Sequence, residues 1–140
     1  MSKGFLLDTN VLSEPLRPTP DPALIAKIEE HDSELATAAV VWHELQFGCR
    51  RLPPSRKRRA IETYLREVIE ATIPILPYDE SAASWHAEER ARLARAGLVS
   101  SFVDGQIAAI ARVHDLVLVT SNTAHFTSFS GLRVVDWRTR

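Results

Sequence analysis

The sequence predicts an α/β domain whose mostly parallel sheet is covered by helices on both faces. Predicted strands and helices alternate along the chain, which is the order expected of parallel strands joined by crossover helices. The first predicted strand, 4–7, is an uninterrupted apolar run, as in strands that are buried on both faces. The chain has 140 residues, a typical length for one domain, so we expect residues 1–140 to form a single domain with right-handed crossovers.

The predicted strands are short runs of apolar and β-branched residues. The run 117–120 is the most regular of them. Pro74 lies inside the third run, and proline cannot donate a ladder hydrogen bond, so we expect this strand at an edge or in an irregular position. The predicted strands are residues 4–7, 35–38, 73–76, 117–120 and 132–135.

The helices are predicted from apolar residues at helical spacing and from the residues that flank them. Asp21 or Thr19 is expected to cap the first helix, and Asp79 and Gly97 to bound the fourth. The polar run 8–10 is expected to leave the first strand and to cap a helix. The main predicted helices are residues 22–31, 40–49, 56–71, 80–95 and 102–114.

Two of these helices have a well-defined apolar face. The second predicted helix places three residues along one face: Val41, Leu45 and Cys49. Ser55 is a suitable cap for the third helix. The third helix is predicted to bury four residues: Ile61, Leu65, Val68 and Ile69.

Composition excludes several classes of protein. The formal net charge is −1, so a nucleic-acid partner requires a local basic patch or metal ions that neutralise phosphate. Cys49 is the only cysteine, so no intrachain disulfide can form, and the reducing cytoplasm is the simplest location. The chain has no run of about twenty apolar residues, so no membrane span is expected.

Acidic and amide residues follow the predicted strands or begin the neighbouring helices. Asp8 comes directly after the first strand, and Asn122 follows the fourth. Glu44 lies in the first half of the helix after the second strand, and Asp104 in the first turn of the helix that precedes the fourth. Because the carboxyl ends of parallel strands meet at one edge of the sheet, we expect these side chains to face one pocket.

A cluster of carboxylates favours binding of a hard divalent cation. Like charges resist joint ionisation, and Mg²⁺ removes that cost while keeping coordination positions for water and phosphate oxygens. The expected chemistry is metal-assisted hydrolysis of a phosphodiester. Each acid alone also has an ordinary interpretation: Asp8 as a helix cap, Glu44 as a solvated residue, and Asp104 as a complement to a helix N-terminus.

Three further polar residues are candidates for supporting roles. The Asn10 amide is suited to hold a carboxylate or a metal-bound water, and equally to cap a helix. Thr120 and Ser121 can orient water or phosphate, or can simply end a strand.

One segment concentrates positive charge on either side of a Pro-Pro pair. It is interpreted as a contact for nucleic-acid phosphates, as a dock for an acidic tail of a partner protein, or as the solvated start of a helix. No aromatic residue lies within it, so base stacking is not indicated. The segment comprises Arg50, Arg51, Arg56, Lys57, Arg58 and Arg59.

Four segments together resemble the PIN-domain toxins of the VapC family, and in particular its FitB-like members. The FitB-like character is clearest at 13–18, SEPLRP. The likeness covers essentially the whole chain. The four segments are FLLDTNVLSE at 5–14, VWHELQFG at 41–48, VDGQIAAIA at 103–111 and VTSNTAHF at 119–126.

The resemblance implies a PIN-like three-layer α/β/α domain with a mostly parallel five-stranded sheet. It also implies the toxin of a type II toxin–antitoxin system, an endoribonuclease that depends on Mg²⁺ or Mn²⁺. Asp8, Glu44 and Asp104 match the metal-binding acids of the family. The implied partners are RNA, a cognate antitoxin that blocks the site, a second copy of the toxin, and DNA only through the antitoxin.

Asn122 departs from the FitB-like pattern, which tends to have a fourth acid there, and occupancy of a second metal site depends on it. This departure favours an alternative, a weakly catalytic PIN-fold protein that acts through a complex with a DNA-binding antitoxin. A receiver-like signalling domain is disfavoured, since no lysine follows the strand 117–120.

Overall fold

The structure is a computed structural model that describes residues 4–139. Within these residues, the centre of the fold is a five-stranded, all-parallel sheet. The predicted domain bounds also include residues 1–3 and 140, which lie outside the described residues. The strand order is β3-β2-β1-β4-β5, and each of the four pairings is parallel, which confirms the predicted fold class. The strands are β1 Phe5–Leu7, β2 Leu35–Ala38, β3 Ile75–Leu76, β4 Val117–Val119 and β5 Val134–Val135.

The strands that were predicted from apolar runs are present but mostly shorter. Gly4 lies outside β1 and has a φ of +139°, and a Cβ there would overlap the carbonyl group of Glu34. The edge position predicted from Pro74 is correct, because β3 is the last strand on one side and contains only two residues. β5 is equally short and forms the other edge.

Within residues 4–139, six α-helices connect the strands. Five of them begin at a residue whose side chain accepts a backbone N–H: Asp8, Asp21, Ser55, Asp79 and Ser101. Asp21, and not Thr19, is therefore the cap of α2. The helices are α1 Thr9–Leu12, α2 Pro22–Glu30, α3 Ala39–Arg50, α4 Arg56–Tyr64, α5 Glu80–Arg95 and α6 Phe102–Val113.

The helix predicted over 56–71 changes its winding halfway. α4 ends at Tyr64, and a π-helical turn continues from Leu65 to Glu70. Leu65 and Ile69 are buried as predicted, but the inward position predicted for Val68 is wrong, since this residue is 48% exposed. The wider π-helical turn rotates Val68 out of the apolar face that α-helical spacing would give it.

The core covers both faces of the sheet. All residues of β2 and β4 are buried, and successive side chains of a strand point to opposite faces. The predicted apolar face of α3 is also buried: Val41, Leu45 and Cys49. Cys49 is a free thiol within this core. Among residues 4–139, no helix is long and apolar enough to cross a bilayer.

Candidate active site

The candidate site lies where β1 and β4 end side by side. Leu7 is in register with Val119, and the N–H of Asp8 donates to the carbonyl oxygen of Val119 at 3.0 Å. β1 has β2 on one side and β4 on the other, so the chain order reverses here. Such a switch point opens a crevice at the carboxyl edge of a parallel sheet. Residues that follow β1 and β4 therefore share this crevice.

Asp8 is a nearly buried carboxylate, 7% exposed, held from several sides. Its Oδ1 accepts the N–H of Thr9 at 2.7 Å, which makes it the N-cap of α1. Its Oδ2 accepts the hydroxyl of Thr120 at 2.8 Å and the amide of Asn10 at 3.4 Å. Burial raises the pKa of Asp8 above its usual value, and the charge of Asp104 adds to this, whereas these hydrogen bonds lower it.

Asn10 holds the carboxylate and does not cap the helix. Its Nδ2 donates to Asp8 and to the Thr120 hydroxyl oxygen at 3.3 Å. Its Oδ1 accepts the N–H of Ser121 at 2.9 Å. Asn10 thus joins the start of α1 to the turn after β4, and Thr120 and Ser121 take part through their hydroxyl and N–H groups.

Glu44 reaches the same region through Thr9. It lies on the exposed face of α3, and its Oε1 accepts the Thr9 hydroxyl at 3.1 Å. Thr9 also donates its N–H to Asp8, so one residue bridges two candidate acids. Thr9 was not predicted as a site residue, although its place between Asp8 and Asn10 is a usable signal, since its hydroxyl lies within a run of polar side chains.

Asp104 enters the site from the first turn of α6. Ser101 caps this helix by accepting the N–H of Asp104 at 2.9 Å. The carboxylate is close enough to Asp8 to raise its pKa. The Nδ1 of His125 lies 3.7 Å from Oδ2 of Asp104, at the end of a short 3-10 helix, Thr123–His125.

A close contact between α5 and α6 fixes the start of α6. A Cβ at Gly105 would overlap the imidazole of His86, with Cδ2 only 2.7 Å away. His86 is buried and shares a 2.8 Å hydrogen bond with the hydroxyl of Tyr78. Burial, and then the charge of Arg90, lowers its pKa, so it packs as a neutral ring. The residue after Asp104 thus locates the helix turn that carries the acid, which the sequence analysis did not detect.

The acids do not form a closed ligand set. Within residues 4–139, no three His, Cys, Asp or Glu side chains lie close enough together to hold a metal ion by themselves. The charge of Asp104 helps to raise the pKa of Asp8, and Thr9 joins Glu44 to Asp8 through its hydroxyl and its N–H. The Asn122 side chain does not cap the 3-10 helix that it precedes, and its N–H donates to the Thr120 hydroxyl oxygen at 3.0 Å. The donor set consists of oxygens and carries excess negative charge, which fits Mg²⁺ or Mn²⁺ with bound water.

The basic segment divides into engaged and exposed residues. Arg58 donates to the carbonyl oxygen of Leu52 at 2.9 Å and pairs with Glu62 at 3.4 Å. Arg50 reaches the Gln46 amide oxygen at 3.4 Å, whereas the remaining members of the segment are exposed: Arg51, Arg56, Lys57 and Arg59.

The fold adds an aromatic ring that the linear segment lacks. The Arg51 guanidinium carbon lies 5.8 Å from the centre of the Phe47 ring, which is 59% exposed. Phe47 lies one turn after Glu44 on α3. An aromatic side chain therefore lies beside the basic segment, although none lies within it. Two surface clefts next to this face share Trp42, Gln46 and Arg50 as lining residues.

Comparison with known proteins agrees with this geometry. The family model for the PIN domain matches residues 5–131. Toxin FitB of Neisseria gonorrhoeae is 35% identical over 125 residues, covering 87% of this chain and 90% of FitB. The tRNA(fMet)-specific endonuclease VapC of Shigella flexneri is 31% identical over 134 residues, covering 95% of this chain and 97% of that protein. A solved structure of FitAB bound to an IR36 DNA fragment matches with a TM-score of 0.88 and 30% identity, over 97% of both chains. The chain therefore belongs to the PIN-domain family, among the toxins of the VapC and FitB kind.

Proposed function

We propose that this protein is the toxin of a type II toxin–antitoxin system and hydrolyses RNA phosphodiester bonds as a metal-dependent endoribonuclease. The observation that carries the proposal is the buried Asp8 carboxylate, whose pKa the charge of Asp104 helps to raise, at the switch point of a PIN-domain sheet. The relation to toxin FitB, to the tRNA(fMet)-specific endonuclease VapC and to the VapC ribonuclease Y4jK of Sinorhizobium fredii supports the same activity. The whole chain, residues 1–140, acts as one domain.

Asp8, Glu44 and Asp104 are the proposed ligands of Mg²⁺ or Mn²⁺. Bound there, the metal would acidify a water and neutralise charge on the scissile phosphate. Asn122 is proposed to line the catalytic site as a neutral neighbour. Because it adds no charge, any second metal would bind more weakly than at a site with a fourth carboxylate.

The other polar residues of the crevice form hydrogen bonds that orient the acidic side chains. Thr120 and Asn10 hold Oδ2 of Asp8, which leaves its remaining lone pairs to face a cation. Thr9 relates Glu44 to Asp8, and the Ser121 N–H fixes the Asn10 amide. These contacts orient ligands and have no direct role in breaking the bond.

The proposed partners follow from the family and from the basic face. A cognate antitoxin occupies the site, and DNA is reached only through it, in line with the FitAB complex on DNA. The exposed residues of the basic segment contact RNA or the antitoxin. A second copy of the chain completes a homodimer, and sedimentation that shows only a 15.7 kDa species at micromolar concentration would contradict this.

The proposed location is the cytoplasm, since the single cysteine is a free thiol.

The direct test is cleavage mapping on total RNA with purified, partner-free protein. In Mg²⁺ or Mn²⁺ we expect discrete cuts, and in EDTA none. The binding alternative, which Asn122 and the open ligand set favour, predicts no cuts at saturating metal but an intact complex with antitoxin and DNA. Equal cleavage in EDTA would contradict the metal role.

A further inference from the structure

The last described residues form a strap, Asp136–Thr139, that lies against the turn after β4. The Nε of Arg138 donates to both carboxylate oxygens of Asp136, at 3.2 and 3.3 Å, and its Nη2 donates to Oδ2 at 2.9 Å. The Asp136 side chain is only 3% exposed, so the ion pair is anchored in the protein. The guanidinium is therefore held in one orientation by a forked contact.

Arg138 extends this anchored contact to Ser121. Its Nη2 also donates to the carbonyl oxygen of Ser121 at 3.3 Å. The N–H of Ser121 donates to Asn10 Oδ1, and the Asn10 amide in turn donates to the Asp8 carboxylate. Both backbone polar groups of Ser121 are thus engaged, one by the strap and one by the site. A path of direct contacts joins Arg138 to Ser121, Asn10 and Asp8.

The far end of the strap is attached to a different element. Thr139 donates its N–H and its hydroxyl to the Asp21 carboxylate, at 3.1 to 3.2 Å. The Asp21 N–H in turn donates to the buried Glu14 at 2.8 Å. Because the strap is fixed on both sides of Arg138, the arginine has little freedom to leave Ser121.

We infer that Arg138 is a positioning residue of the candidate active site, which fixes the Ser121 turn so that Asn10 holds the Asp8 carboxylate ready for a divalent cation. The inference rests on the proposed function for its catalytic consequence. Arg138 acts through backbone and amide groups, and its Nε and Nη2 are occupied by Asp136 and Ser121.

The test compares Arg138→Ala and Arg138→Lys with Arg133→Ala. The control removes another half-exposed arginine from the same end of the chain, one that pairs with Asp115 at 2.9 Å. In Arg138→Ala we expect hydrogen exchange at the Ser121 amide to be about tenfold faster. We also expect Mn²⁺ affinity, measured by calorimetry, to fall about three- to tenfold, less than for direct ligand-orienting residues. The kcat should fall with KM unchanged, and Arg138→Lys should recover part of the affinity.

A double variant distinguishes an effect transmitted through Ser121 and Asn10 from a general destabilisation of the fold. Once Asn10→Ala has broken the path, adding Arg138→Ala should lower Mn²⁺ affinity no further. Ser121 exchange or Mn²⁺ affinity equal to that of Arg133→Ala would overturn the inference, and so would a raised KM at unchanged kcat. If Arg138→Ala does not fold, Arg138→Lys is judged by the same measurements. If the unmodified protein cuts no RNA, the proposed function fails, whereas amide exchange and metal affinity still decide the role of Arg138.

Discussion

Asp8 is both a helix cap and a nearly buried carboxylate, and these two features have opposite effects on its charge. It caps α1, which favours a charged carboxylate, and it is nearly buried, which disfavours the charge. Hydrogen bonds from Thr9, Thr120 and Asn10 compensate part of the cost, but the nearby Asp104 adds repulsion. The Asp8 charge is therefore locally destabilising, and a cation bound at the proposed metal site would relieve this cost.

This conflict predicts that Asp8→Asn separates stability from activity. Asparagine keeps an oxygen that accepts from Thr9 or Thr120 and removes both the buried charge and its repulsion with Asp104. In EDTA we expect a melting temperature equal to or above that of the unmodified protein. RNA cleavage in Mg²⁺ should fall at least about 100-fold, because a charged ligand is lost.

Asp32→Asn is the matched control for this change. Asp32 is exposed and begins a short 3-10 helix away from the crevice, so neither property should change. Full cleavage by the Asp8→Asn protein would remove Asp8 from the catalytic site.

At the scale of elements, replacing either of two glycines inside helices by alanine is expected to change stability, in opposite directions. A Cβ at Gly105 would overlap His86 and separate α5 from α6, whereas a Cβ at Gly48 in α3 meets no atom within 4 Å among the described residues. Gly105→Ala should lower the free energy of unfolding by about 1–3 kcal/mol through overpacking. Gly48→Ala should raise it by about 0.5–1 kcal/mol, since alanine favours helix. Urea denaturation measures both, and equal effects would contradict the close packing of α5 on α6.

A second element contact predicts a pH dependence. Glu89 on α5 accepts Arg92 Nη2 and the Ser130 N–H, each at 2.8 Å, which ties the helix to the loop before β5. The hydrogen bond from Arg92 and that from Ser130 lower the pKa of Glu89 below its usual value near 4.5. The stabilisation is therefore complete above the unfolded pKa and is lost as the pH falls through the lower, folded pKa.

Glu89→Gln should accordingly be less stable than the unmodified protein at pH 7, by about 1–2 kcal/mol. The difference should shrink as the pH falls below about 4.5, because the Glu89 carboxylate of the unfolded chain then takes up a proton before that of the folded protein does. Urea unfolding at pH 7 and pH 3.5 measures this. The exposed Glu67→Gln is the control, and a difference independent of pH would show that the Glu89 charge does not contribute.

The sequence predicted elements well where one pattern decides them. Strand β2 and the capping residues of α2 and α5 were correct because local side-chain chemistry determines them. The inward position predicted for Val68 was wrong, because the change from α to π winding depends on how the helix packs. The spacing of the apolar residues in the sequence gives no sign of that change. The last strand is shorter than its apolar run, since pairing with β4 begins only near its end.

At the scale of the molecule, the candidate acids could be predicted but their contacts could not. Their positions at strand and helix ends follow from the alternation of elements. The contact of Thr120 with Asp8 spans 112 positions, and that of Thr9 with Glu44 spans 35. Such pairs arise only from the strand order and register, which short motifs do not encode.

The exposed basic residues at the start of α4 predict a salt effect. If they contact RNA phosphates, replacing Arg56, Lys57 and Arg59 by alanine should flatten the dependence of log K on log salt. The slope should change by about 0.7 for each lost contact with single-stranded RNA. Arg58 is left in place, because its bonds to Leu52 and Glu62 are structural. RNA binding measured at several salt concentrations tests this.

A charge-matched triple variant controls for the loss of net positive charge. Arg95, Arg112 and Arg133 are exposed and lie outside the basic segment, so their replacement by alanine should leave the slope nearly unchanged. An unchanged slope in the first variant together with lost antitoxin binding would assign the segment to the antitoxin.

The two edge strands, β3 and β5, bear on how the protein behaves when it accumulates alone. Each presents only two residues in strand conformation, and Pro74 comes directly before β3. Unpaired strand edges recruit other chains into extended ladders, and short or proline-blocked edges are poor templates for this. The two edges of the sheet therefore offer little template for strand pairing between copies of the chain.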